Sequence, residues 1–240
     1  MPSLQLSRAT EADIDSLLDP LYEAFNGNDL RTMFFGHDTP ASRASAKERI
    51  AGTMKSGAQN VWLKVVDQET GRVVGGSWWM IYPNWVPNPS LTPAAAAAIS
   101  IDYLEGEDRV MGEAMLKDWM TRRAKYMYGH PHILLALLFT APSAQRLGAG
   151  SMQVQWGTAL ADQLLVPWYV EGTPAGHKLY AANGAADLEK VRFVAPAGGK
   201  EASGEAASDG RGEWVSEYTM MRREPRRVSI EREARAAMKN

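Results

Sequence analysis

The chain has 240 residues, 45% of them hydrophobic, with 26 Lys+Arg against 28 Asp+Glu for a formal net charge of −2. This balance excludes wholesale disorder, and the near-neutral charge offers no field for gripping a long polyanion, so no nucleic-acid partner is expected. With no cysteine, disulfides, thiolate metal sites and a cysteine nucleophile are excluded, which fits a reducing, cytoplasmic setting.

Met1–Ala9 carries no long apolar run, and the longest apolar stretch, Ile133–Phe139, is too short to span a bilayer. Neither a secretory signal nor a membrane partner is therefore expected. Leu4 and Leu6 alternate with polar neighbours and predict a first strand near residues 3–9. Thr10 with Asp13 forms a capping-box pattern ahead of Ile14, Leu17, Leu18, Leu21, Tyr22 and Phe25, which recur at helical spacing. Pro20 inside this pattern should kink or split the helix. Residues 29–45 read as irregular, with a short helix over Ser42–Lys55. Val61–Val66 and Arg72–Ile81 then flank Asp67–Gly71 as two hairpin strands.

Pro83, Pro87, Pro89 and Pro93 break up the next segment. Glu107–Met127 predicts a long helix with Met111, Met115 and Trp119 four residues apart. Ile133–Phe139 reads as a strand covered on both faces. Met152, Trp156, Leu160 and Leu164 form an i, i+4 row on a further helix. Pro167–Glu171 predicts a strand, Gly176–Asn183 a short helix, and Asp187–Val194 with Glu213–Arg222 a final strand pair. Ala195–Gly212, rich in Gly, Ala and Ser, predicts a mobile loop. Element order points to an α/β fold with a mixed, mostly antiparallel sheet, helices on both faces and a helical insertion over about 83–130. One domain over 1–223 is expected, followed by a basic tail over 224–240 that reads as a solvated helix.

Chemistry concentrates after the buried strand, in Thr140-Ala141-Pro142-Ser143-Ala144-Gln145-Arg146-Leu147-Gly148-Ala149-Gly150-Ser151. Glycines let the backbone approach a ligand, and the free N–H groups of the following helix's first turn form an anion site suited to a pyrophosphate. Arg146 adds a permanent charge there. No Lys-Ser/Thr follows, so nucleotide hydrolysis is not supported. A plain strand-to-helix turn would also use these glycines.

Gln145-Arg146-Leu147-Gly148-Ala149-Gly150 resembles the acyl-CoA signature of the GNAT superfamily of N-acetyltransferases. Trp156–Asp162, Pro167–Glu171 and Thr173–Tyr180 with Gly184 extend the likeness, which looks like the fungal-type subgroup. The resemblance implies a GNAT-like fold and acetyl transfer from acetyl-CoA to an amine by direct attack in a ternary complex. It implies pantetheine contacts from the backbone of Leu138, Phe139 and Thr140. The segment Gln145, Arg146, Leu147, Gly148, Ala149, Gly150 and Ser151 would hold the pyrophosphate. Tyr180 falls where the family places its general acid, with half-buried packing as its alternative role. Glu171, at a strand end, could act as base directly or through water; a solvated carboxylate or ordered water as base is the alternative.

Other signals are weaker. His130-Pro131-His132 lacks a third ligand, so no metal is expected. Trp78 and Trp79 should face opposite sides of their strand. With Tyr82, Trp85, Phe34 and Phe35 they would line an acceptor cavity or pack the core. A small-molecule amine and a protein amine both fit as acceptor, and nothing in the sequence encodes an oligomeric state. Two further classes stay open: a non-catalytic acyl-CoA sensor, and an interaction module built on the Pro-rich segment and basic tail.

Overall fold

The computed structural model describes residues 3–27, 29–196 and 213–226. Of the loop expected over Ala195–Gly212, residues 195 and 196 continue the preceding strand and the rest lies outside the described residues, as does the tail expected over 224–240 from residue 227 on. One sheet of seven strands organises them: β1 Leu4–Arg8, β2 Asn60–Asp67, β3 Val73–Tyr82, β4 His132–Thr140, β5 Trp168–Gly172, β6 Ala186–Pro196 and β7 Glu213–Arg223. Their order is β1-β2-β3-β4-β5-β7-β6, antiparallel throughout except where β4 and β5 run parallel. The predicted mixed, mostly antiparallel sheet with helices on both faces is therefore present.

Seven α-helices accompany the sheet among the described residues: α1 Ile14–Ala24, α2 Asp29–Phe35, α3 Pro40–Lys55, α4 Pro93–Ala97, α5 Gly106–Met127, α6 Ala149–Leu164 and α7 Pro174–Ala182. Two expectations change at the N-terminal end. Pro20 does not split its helix; α1 runs through it, burying Leu17, Leu18 and Leu21 beside it. The segment read as irregular contains α2, and α3 begins at Pro40 because Thr39 caps it, its hydroxyl accepting from the Ser42 N–H at 3.2 Å. The capping-box pattern at Thr10 is realised: its N–H donates to the Asp13 carboxylate at 2.9 Å.

Strand alternation divides the core into two layers. Trp79, Ile133, Leu135, Trp168, Val170 and Met221 face α6 and α7. Trp62, Leu134, Tyr169 and Met220 belong to clusters on the opposite face, where α1, α3 and α5 pack. The expected apolar row on α6 is not its buried face. Gln153, Val154, Gly157 and Ala161 are buried, while Trp156 and Leu160 are half-buried and Leu164 is exposed. Small residues face the sheet because Trp79 occupies the space above it: a Cβ on Gly157 would lie 2.1 Å from its ring.

Candidate active site

β4 and β5 pair only over Ile133–Leu135 and Trp168–Val170, so the two strands part at Leu135 and Val170. The cause is visible in the register with β3, where Trp78 pairs with Leu137 and Trp79 with Leu135. Ala136 is the extra residue of a β-bulge, which bends β4 away from its parallel neighbour. Beyond it Ala136, Leu137 and Leu138 are only half-buried. The expected strand covered on both faces is thus closed over its first half and open over its second.

On its other edge β4 stays paired with β3. Ala141 N–H donates to the Val74 carbonyl at 2.9 Å, and strand alternation turns the backbone of Phe139 the same way. Leu138 and Thr140 therefore turn their N–H and C=O groups toward the gap left by β5. Phe139 does not; its ring is buried against α1-face residues.

The turn that follows has the geometry to receive an anion. A short 3-10 turn over Pro142–Ala144 precedes Gln145, whose amide donates to the Thr140 carbonyl at 3.3 Å. Arg146 and Gly148 both take left-handed conformations, φ +64° and +96°. Such residues gather backbone N–H groups into a concavity. For Arg146 this costs about 1–2 kcal/mol of strain, the kind retained at binding sites. The first backbone bond of α6 runs from Met152 N–H to the Gly148 carbonyl, which leaves Ala149, Gly150 and Ser151 amides without an intrahelical acceptor. Arg146, Leu147 and Gly148 are exposed, and Gly150 lies close under α7, where a Cβ would meet Leu179 at 3.1 Å. The Thr140 hydroxyl is buried without a partner at the base of this turn. These groups fit a pyrophosphate with a polar arm entering the gap.

Tyr180 and Glu171, the acid and base candidates of the sequence, lie on opposite sides of the sheet at β5. Tyr180 on α7 is 7% exposed and packs on Trp168 and against Gly172. Burial, reinforced by the Glu171 charge, pushes its phenol above the ordinary value, so it stays protonated. Glu171 points to the α5 side, beside Tyr169 and Met220. Its carboxylate accepts from Arg123 Nε at 2.6 Å and Nη2 at 3.0 Å, with side chains 3% and 8% exposed. Burial works against the Arg123 charge, but Glu171 overcomes it and leaves the guanidinium above its usual value. Glu171 is therefore not a solvated strand-end carboxylate.

Sequence reasoning missed Arg123 and Tyr218. Tyr218 is buried, its hydroxyl donating to Asp118 at 3.0 Å, and its ring meets Trp119 edge-on at 5.6 Å. Burial and the Asp118 charge push its phenol up. A signal for Arg123 does exist: it continues the row Met111, Met115, Trp119 as a lone charge among apolar positions. Of the two roles open to the aromatic residues, core packing holds for Trp78, Trp79, Phe34 and Phe35, and no single cavity gathers them. Trp78 stacks on Trp62 at 5.7 Å, Trp79 lies under α6, and Phe34 packs on Trp119 at 5.2 Å. Trp85 is exposed against His130, and His132 turns its Nδ1 to the His130 carbonyl at 2.7 Å.

No family model matches the chain, and no curated protein matches it in sequence. Its structure does have likenesses. An agmatine N-acetyltransferase superposes with a TM-score of 0.63 at 14% identity, covering 92% of this chain and 99% of the other. A polyamine N-acetyltransferase of Drosophila melanogaster gives 0.61 at 13% identity, covering 92% and 100%. An acetyltransferase of Corynebacterium glutamicum described with the histone acetyltransferase HPA2 gives 0.56 at 19%, covering 96% and 100%. The chain has the fold of GNAT N-acetyltransferases. Among the described residues no helix is long and apolar enough to cross a membrane.

Proposed function

We propose that this chain is an acetyl-CoA-dependent N-acetyltransferase acting on a primary amine by direct attack in a ternary complex. The observation that carries the reading is the coincidence of two features: β4 and β5 part after Leu135 and Val170, and the open edge of β4 leads directly into a turn with left-handed Arg146 and Gly148. Acetyl-CoA supplies the acyl group. The amides of Arg146–Ser151 would hold its pyrophosphate and the gap-facing backbone of Leu138 and Thr140 its pantetheine. The Tyr180 hydroxyl, kept protonated by burial, would give a proton to the departing thiolate and recover it from solvent. An arriving ammonium loses one proton before attack and the new amide nitrogen a second, so one proton is released net.

The proposal includes membership of the fungal-type subgroup and a cytoplasmic location. Agmatine and polyamines are the first acceptors to screen, because two proteins of the same fold carry those names. Thermal unfolding with acetyl-CoA, CoA, ATP and NAD tests the cofactor. Ligand at about 100 times its Kd adds about 2.7 kcal/mol, raising Tm by roughly 5–10 °C for a chain of this size. No shift with acetyl-CoA or CoA at saturation would overturn the reading. One observation favours a non-catalytic acyl-CoA sensor: Glu171 is closed into its pair with Arg123. Thiol release on amine addition separates the two, since a sensor binds CoA and releases none.

A further inference from the structure

On α5, Met111, Met115, Trp119, Arg123 and Met127 recur every four residues, and Arg123 is the only one of them with a charge. A guanidinium on a buried row is stable only opposite an anion. That anion is Glu171, one residue past the last pairing of β4 with β5. The pair therefore sits where the two strands part, on the face opposite α6 and α7.

Both carboxylate oxygens accept from the fork, and each keeps a second lone pair. The fork engages both oxygens at once, so the clamped group is held in place as a fixed hydrogen-bond acceptor. Ionisable groups within electrostatic reach of the pair are Tyr180 from α7, Tyr218 from β7, Tyr82 from β3 and His132 from β4, its imidazole pushed below the usual value by burial and the Arg123 charge. All three phenols are pushed upward, chiefly by burial. They remain neutral through physiological pH, leaving Arg123 as the group that balances Glu171.

We propose that Arg123 is a positioning residue: it fixes Glu171 as an ionised, immobile hydrogen-bond acceptor that orients the amine at the mouth of the gap, while the amine's proton leaves to water. The inference rests on the transferase reading above and gives Glu171 a role other than base.

Arg123→Met, Arg123→Lys and Glu171→Gln test it, through steady-state kinetics and carbon-13 NMR of the glutamate carboxyls. Loss of a hydrogen bond to a charged group should raise the amine KM roughly tenfold or more in Arg123→Met, with the acetyl-CoA KM within about twofold. Glu171→Gln should show the same rise in amine KM, again with the acetyl-CoA KM held. Arg123→Lys, which keeps the charge but not the fork, should recover part of it.

Wild-type amine KM in Arg123→Met and Glu171→Gln would overturn the proposal, as would an effect confined to melting temperature. If Arg123→Met does not fold, Arg123→Lys and Glu171→Gln carry the same readouts. Failure of the transferase reading is recognisable separately, because wild type would then release no thiol with any amine. In that case a Glu171 carboxyl resonance that does not move in Arg123→Met still overturns the clamp on its own.

Discussion

Gly157→Ala probes the contact that sets the height of α6 above the sheet, and with it the place of the candidate phosphate-binding amides. A Cβ at this position would lie 2.1, 2.4 and 2.5 Å from Cη2, Cζ3 and Cζ2 of Trp79, where ordinary carbon contacts are about 3.5–4.0 Å. Trp79 cannot yield easily. It is fully buried, lies against Trp156 and Trp168 at 5.9 and 6.3 Å, and its indole N–H donates to Ser77 Oγ at 3.2 Å. Alanine gains about 1 kcal/mol of helix propensity over glycine. Overpacking of this depth costs roughly 3 kcal/mol or more. The net loss of about 2 kcal/mol or more should lower Tm by roughly 4–8 °C for a chain of this length. Calorimetric melting measures it, and acetyl-CoA should stabilise the variant less than wild type because the Ala149–Ser151 amides move with the helix. Trp79→Leu opens room on the other side, so the double variant should be better than additive by about 1 kcal/mol. A Gly157→Ala protein that melts at or above wild type would refute the packing argument.

Tyr180→Phe should leave acetyl-CoA binding and Tm nearly unchanged while lowering kcat about 100-fold or more, as for loss of a general acid; full turnover would remove Tyr180 from the mechanism. Gly148→Ala meets no neighbouring atom, yet must hold φ +96°; the expected cost is about 1–2 kcal/mol with weakened CoA binding, read by calorimetry. Asp162 accepts from Arg223 at 2.7 and 2.9 Å. Burial opposes its charge, but Arg223 and the Arg226 N–H outweigh it and depress the carboxyl below 3.8. A depressed folded value means stability present above that pH and lost as pH falls through the folded value. Asp162→Asn should therefore cost roughly 2 kcal/mol near pH 7, with the gap to wild type narrowing as pH falls into the acid range in denaturant melts; a pH-independent gap would refute the linkage.

What could be read in the sequence depended on whether the signal was local. The Ile133–Phe139 run and the glycine turn after it lie within twenty residues, so strand, turn and helix were all legible, as was the alternation that separates Trp78 from Trp79. The left-handed conformation at Arg146 was not, because only glycine announces positive φ in a sequence. α2 escaped because its residues Asp29–Phe35 are seven in number, too short a window for a helical period. On α6 the larger apolar residues Met152, Trp156 and Leu160 carry the helical period, although Gly157 and Ala161 face the core. The usual rule inverts when a tryptophan on the partner sheet fills the interlayer space.

Glu171 shows the limit most clearly. As a strand-end carboxylate it could be free, capping or catalytic, and nothing within its own strand distinguishes these. Its fate is decided by Arg123, forty-eight positions away. Yet the other half of the pair was readable on its own: a single arginine continuing the four-residue row Met111, Met115, Trp119 must end in a dry layer, and an arginine there needs a carboxylate. A search for the anion required by a misplaced cation thus leads from α5 to the strand end at the open gap, and it does so without any likeness to another protein. The clamp itself rests on Arg123 and Glu171 alone, whereas the amine-orienting role given to it stands or falls with the transferase reading.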